Sequence, residues 1–286
     1  MRSKSRQNQE AKSSMASTCE RKPAHAGSFY PGKKAELDSM LSALLSSSCK
    51  NRRGCDSKGK LKALIVPHAG YVYSAGTAAA GYSLLSQLAV QPKDFILLGP
   101  SHHALFEGLA TCNFSTWATP LGSIASASID KLCGKSELVV NACKAHAPEH
   151  CLEVQVPFLQ KACSKDFCIY PALTCETDAK LAADYLAPAL SRKGAFLIVS
   201  SDLSHFLSQQ QAQKIDEASS RIITSLDLVS ASSIDACGKT GIITAMILAK
   251  KFNWTCCLMD YSTSFAASGG GSRVVGYGCY AFFEKK

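Results

Sequence analysis

Seven histidines occur in the 286-residue chain, and four of them stand just beyond short apolar runs: His68 after residues 61–66, His102 and His103 after 94–98, and His205 after 195–200. Imidazole is both the commonest metal ligand and the side chain that exchanges protons near neutral pH. In an open parallel sheet the C-terminal ends of the strands share one edge, and ligands bind in the crevice outside it. If the apolar runs are parallel strands, side chains 34 and 103 positions apart (68 to 102, 102 to 205) meet at that edge.

The segment Val66-Pro67-His68-Ala69-Gly70-Tyr71 ends its run with a proline, which cannot continue a ladder, followed by small residues that admit close approach to the imidazole. His68 there is either a ligand or a buried hydrogen-bonding group. Gly99-Pro100-Ser101-His102-His103 repeats the arrangement on a second run, and two such ends favour a site. In Ser200-Ser201-Asp202-Leu203-Ser204-His205-Phe206 an acid and an imidazole lie three residues apart, and a one-turn helical bend aims both the same way. That pairing suits proton transfer or the orientation of a ligand, and it is also what an N-cap looks like, with Asp202 capping a helix near Leu203.

Glu149-His150-Cys151-Leu152-Glu153 offers two carboxylates at four-residue spacing, as a functional pair or as a solvated helix start. Cys237 precedes a helical pattern over 240–252, where a thiol gains thiolate character, although a cysteine is more often a small buried apolar residue. Cys237, His205 and Asp202 can also be assembled as nucleophile, base and orienting acid of a cysteine hydrolase. The unassigned imidazoles on the other strand ends make a metal site the simpler account.

The elements that must position these groups read as α/β. Strands are expected over 61–66, 94–98, 167–170, 195–200, 256–261 and 274–283, and helices over 33–48, 75–87, 178–190, 209–226 and 240–252. Short apolar runs separated by helical stretches predict a mainly parallel central sheet covered by helices. Residues 1–22 lack apolar periodicity and are expected to be a disordered basic tail, 49–60 an exposed loop, and 23–286 a single domain.

The net charge of +9 is uneven. Residues 1–60 hold 13 Lys/Arg against 5 Asp/Glu, and the remaining 226 hold 18 against 17, so the body is nearly neutral and no nucleic-acid face is expected. No apolar run approaches a bilayer span, and the fourteen cysteines lack the short secreted context of a disulfide scaffold. A cytoplasmic location with reduced thiols is expected, the nucleus remaining open.

Six motifs together resemble the Memo family in order and approximate spacing: His25-Ala26-Gly27-Ser28-Phe29-Tyr30-Pro31, Pro67-His68-Ala69-Gly70-Tyr71, Gly99-Pro100-Ser101-His102-His103, Glu149-His150, Ser201-Asp202-Leu203-Ser204-His205 and Cys237-Gly238. The resemblance covers about residues 24–283. It implies a fold like the class III, LigB-type extradiol dioxygenases, with His68, His102 and Cys237 as metal ligands and His205, beside Asp202, as the acid/base. It also implies that His25, His150 and Glu149 line the same cleft. A cysteine standing where the dioxygenases carry a carboxylate admits copper as well as iron(II), with zinc also accepted. The implied activity is that of a copper- or iron-dependent oxidoreductase, with a small molecule or peptide in the metal cleft. The alternatives are a non-catalytic phosphopeptide-binding adaptor linked to cell motility, and a zinc hydrolase. Phe29 and Phe206 stand where animal members of the family carry Trp.

Overall fold

The computed structural model describes residues 19–50, 59–164 and 166–285. The apolar runs form strands that are buried on both sides: Leu64, Ile65 and Val66 are fully enclosed, as are Phe95, Ile96, Leu97 and Leu98, and Leu197, Ile198 and Val199. A strand apolar on both faces must lie between two covering layers.

In chain order the strands are β1 (Glu20–Arg21), β2 (Lys60–Val66), β3 (Asp94–Pro100), β4 (Leu109–Thr111), β5 (Thr116–Thr119), β6 (Gly122–Ser126), β7 (Val139–Asn141), β8 (Cys168–Thr174), β9 (Ala195–Ser200), β10 (His205–Leu207), β11 (Trp254–Thr263) and β12 (Val274–Glu284). The helices are α1 (Lys34–Lys50), α2 (Tyr71–Ser86), α3 (Asp130–Cys133), α4 (Cys143–His146), α5 (Gln155–Ala162), α6 (Ala179–Leu190), α7 (Gln209–Ser225), α8 (Lys239–Lys251) and α9 (Phe265–Ser268). The strands join in one 12-stranded sheet of order β1-β5-β6-β8-β3-β9-β2-β12-β10, with β4, β7 and β11 off that path.

Its centre is parallel, β6 through β8, β3 and β9 to β2. The sheet is nevertheless mixed. β12 runs antiparallel to β2, β10 and β11, and β5 antiparallel to β6. The short connection between β11 and β12 leaves room for a hairpin return but for no crossover, which a parallel pair needs.

Alternate residues of β2 point to opposite layers, Leu64 and Val66 toward α1, α2 and α5, Ala63 and Ile65 toward α6, α7 and α8. Each layer presents an apolar stripe, such as Leu37, Leu41 and Leu45 of α1 or Ile242, Ala245, Met246 and Ala249 of α8. The most consequential feature is that β9 inserts between β2 and β3. The chain ends emerging after Val66, Pro100 and Ser200 are thereby neighbours along one edge, about 5 Å from strand to strand.

Three expectations need correction. Residues 20–22 do not belong with a free tail, because β1 pairs with β5 and Arg21 is buried, while the expected tail before residue 19 and most of the expected loop at 49–60 lie outside the described residues. The chain between 101 and 166, which lacks long apolar runs, folds into four short strands and three short helices that its sequence pattern does not announce. Cys257 is disulfide-bonded, whereas Cys112, Cys151, Cys237 and Cys279 carry free thiols, so wholly reduced cysteines are not found. No helix among the described residues is long and apolar enough to cross a membrane.

Candidate metal centre

His68 leaves β2 through Pro67 and is only 2% exposed. Its backbone N–H donates to Asp202 Oδ1 at 2.7 Å, and its Nδ1 lies 3.0 Å from Ser200 Oγ. The Ser200 hydroxyl has a single proton, which it gives to the carbonyl of Cys151 at 2.7 Å, while it accepts from Gln155 Nε2 at 2.9 Å. The imidazole must therefore be the donor to Ser200, so His68 carries its proton on Nδ1 and leaves Nε2 unprotonated.

His102, two residues beyond β3, is fixed in the same sense by Glu149. Nδ1 donates to Oε1 at 2.8 Å and the backbone N–H to Oε2 at 2.6 Å. Oε1 also receives the backbone N–H groups of His150 and Cys151 and stands 3.2 Å from His150 Nδ1. Burial by itself would raise the Glu149 carboxyl, but the hydrogen bonds from His102 and His150 outweigh it and hold the group well below the usual carboxylate range. One ionised carboxylate thus orients two imidazoles, an arrangement characteristic of metal-ligating histidines.

The three imidazoles lie close together. Ring centroids lie 5.3 Å apart for His68–His102 and for His68–His150, and 4.6 Å for His102–His150. These three residues each offer a ligand atom within 4.8 Å of the other two. His103 is exposed and falls in a separate group with Glu149 and His150.

Cys237 touches this cluster on one flank. Its Sγ is 3.2 Å from His68 Nε2 and accepts the Asp202 N–H at 3.3 Å, but it does not join the group that His68, His102 and His150 form. Gly238 makes the contact sterically possible, since a Cβ there would meet Ser201 Cβ at 2.7 Å and the Ser200 carbonyl at 2.8 Å. The following helix does not lower the thiol's pKa as expected; burial, with the Asp202 carboxylate adding to it, pushes it up to about 12. A bound cation reverses that balance, because a coordinated thiol is deprotonated outright.

Asp202 and His205 are differently placed from the sequence reading. No helix begins near Leu203; the chain passes straight into β10, so neither the helical bend nor the N-cap is present. Asp202 is buried and serves the backbone of His68, and burial raises its carboxyl to about 6 although the His68 and Ala69 amides and the His205 and His150 imidazoles pull it down. His205 is half-buried, and its neighbour Phe206 is 63% exposed at φ 60° with the Arg273 guanidinium 5.0 Å above its ring. His25 and Phe29 lie 5.7 and 4.8 Å from the His150 ring.

Glu149 and Glu153 do not share a solvated helix face. Both are 1% exposed, and α5 begins only at Gln155. Glu153 instead pairs with Arg21 at 2.6 Å and accepts from Ala24 N, His25 N and the Tyr30 hydroxyl. Arg21 in turn donates to the carbonyls of His146, Ala147 and Glu149. This buried pair anchors the loop that carries Glu149. Sequence reasoning did not find Arg21, Gln155 or the part of Ser200; the one available signal is that polar residues sit among apolar ones in segments that must be enclosed.

The set of donors fits a metal: three imidazoles whose Nδ1 atoms are all committed, with a thiol beside them. The model for the Memo-like protein family matches residues 21–281. A MEMO1 family protein of Nitrosopumilus maritimus is 31% identical over 92% of this chain and 99% of its own length. One from Methanobrevibacter smithii is 35% identical over 90% and 97%, and one from Aquifex aeolicus 33% over 90% and 97%. On this evidence the chain belongs to the Memo family.

Proposed function

We propose that this chain is a cytoplasmic metal-binding protein of oxidoreductase type, with His68, His102 and Cys237 holding copper or iron(II) at the C-terminal edge of a LigB-like sheet. The observation that supports the reading is the protonation pattern: Ser200 and Glu149 fix the proton of His68 and of His102 on Nδ1, which leaves Nε2 as the unprotonated nitrogen of two rings whose centroids are 5.3 Å apart. An ion held there would supply one-electron chemistry, and the soft thiolate in place of a carboxylate favours copper(I).

The chain's own residues supply the rest. Asp202 fixes the backbone of His68, and His205 stands at the open side, where it can take or give a proton. His25 and Phe29 pack beside the His150 ring. The test is the metal content of untagged protein purified anaerobically, and of His68→Ala. One ion per chain in the wild type, lost in the variant, is expected; a wild type that takes up no stoichiometric ion on reconstitution refutes the reading.

A second reading has one observation in its favour. Phe206 and Arg273 present a cationic, aromatic surface beside His205, suited to an anionic peptide. Metal-independent peptide binding that is lost in Arg273→Ala would favour an adaptor.

A further inference from the structure

We propose that His150 is a metal ligand in its own right, so that the centre offers two donor sets sharing His68 and His102: three imidazoles for a borderline divalent ion, and two imidazoles with Cys237 for copper(I). The proposal rests on the metal-site reading above and amends it, giving a divalent ion such as iron(II) to the three imidazoles and keeping Cys237 as the ligand for copper(I).

The first argument is geometric. A ligating imidazole places its ring centre about 3.2 Å from a zinc-like ion, given a metal–nitrogen bond of about 2.05 Å, so two rings on a tetrahedral ion have centroids about 5.2 Å apart. The distances found are 5.3, 5.3 and 4.6 Å, and the three ligand atoms lie within 4.8 Å of one another. Closing them on one ion draws donor atoms that lie within 4.8 Å of one another to about 3.3 Å.

The second argument is chemical. His150 is treated by its surroundings as His102 is. The same oxygen, Glu149 Oε1, lies 2.8 Å from Nδ1 of His102 and 3.2 Å from Nδ1 of His150. A carboxylate that fixes the protons of two imidazoles leaves two equivalent Nε2 donors. Phe29 packs against the His150 ring at 4.8 Å and limits its freedom to swing out to solvent.

Cys237 then has a distinct part. Its Sγ approaches His68 Nε2 from outside the three-imidazole group. An ion seated among the imidazoles does not need it, whereas a soft ion that prefers sulfur is drawn toward it and away from His150.

The experiment titrates wild type, His150→Ala, His150→Gln and Cys237→Ser, all full-length and reduced, with cobalt(II) and with copper(I), and reads sulfur in the metal's shell by X-ray absorption. Circular dichroism checks that each variant is folded, and the glutamine variant keeps a polar side chain should the alanine not fold. Expected are a cobalt(II) shell without sulfur, a loss of cobalt(II) affinity of tenfold or more in both His150 variants, and little change in Cys237→Ser. Copper(I) should show the reverse dependence. Wild-type cobalt(II) affinity in folded His150 variants overturns the proposal while leaving the metal site standing. If wild-type protein binds neither ion stoichiometrically, both this proposal and the reading beneath it fail.

Discussion

Removing the Arg21 side chain should be among the most damaging single changes outside the candidate centre, although the residue contributes no group to it. The guanidinium is 1% exposed, as is the carboxylate of Glu153 that it meets at 2.6 Å, and it lies 4.3 Å above the Trp117 ring. Arg21→Ala leaves a buried carboxylate without its counter-charge, and breaking a buried pair in this way costs about 3–5 kcal/mol. The carbonyls of His146, Ala147 and Glu149 also lose donors, each worth about 1–3 kcal/mol if water cannot replace it. These contributions overlap, and a loss of about 4–5 kcal/mol is expected, a large part of the roughly 5–15 kcal/mol by which domains are stable. Glu153 keeps the amides of Ala24 and His25 and the Tyr30 hydroxyl, so its charge is not wholly abandoned. The assay is urea unfolding of metal-free protein for wild type, Arg21→Ala, Glu153→Gln and the double variant, followed by circular dichroism and by fluorescence from the neighbouring Trp117. The double variant should lose clearly less than the sum of the singles. A loss under about 1 kcal/mol for Arg21→Ala, or strictly additive losses, would refute the assignment of this pair as the anchor of the Glu149 loop.

Glu149→Gln should flatten the acid side of the stability curve. The folded carboxyl lies well below its ordinary range, so its contribution is complete above that range and is lost progressively as pH falls from there toward the depressed folded value; urea unfolding should show the largest deficit at pH 7 and a smaller one at pH 3.5. His205→Ala should keep the metal, weakened by no more than about 10- to 100-fold. The same change should raise the Asp202 carboxyl from about 6, as followed by carbon NMR, because His205 is one of the groups pulling it down. Complete loss of metal would make His205 a ligand instead. Gly238→Ala should cost about 1–3 kcal/mol by overpacking and should weaken copper(I) more than zinc, since the new methyl meets Ser201 and the Ser200 carbonyl and displaces Cys237; unchanged copper(I) affinity would show that the Cys237 contact does not matter.

The elements that the sequence made legible are the ones whose stability comes from apolar periodicity. β9 was expected at 195–200 and occurs there, and the predicted helix at 209–226 differs from α7 by one residue. The antiparallel direction of β12, itself expected as a strand at 274–283, and the strands between 101 and 166 were hidden because pairing direction and short, half-polar strands depend on partners distant in the chain. At the centre, residue type pointed to His68, His102, His150 and Cys237. What it could not convey is direction: Cys237 approaches the imidazoles from one side only, Asp202 serves a backbone amide rather than capping a helix, and Glu153 turns away from Glu149 to meet Arg21. Each of those outcomes is decided by the tertiary position of a partner more than a hundred residues away.

The insertion of β9 between β2 and β3 bears on when the centre can come into being. Donors from positions 68, 102, 150 and 237 share no local segment, and Ser200, which orients His68, arrives only when the strand before it has entered a gap between two strands laid down earlier in the chain. Such non-local pairing is slow, because long loops must close before contacts reward them. An ion therefore has nothing to hold on to in early collapsed states and cannot template the sheet. Its effect should fall on the reverse reaction: escape of the finished molecule slows in proportion to occupancy, while the rate of reaching it stays the same.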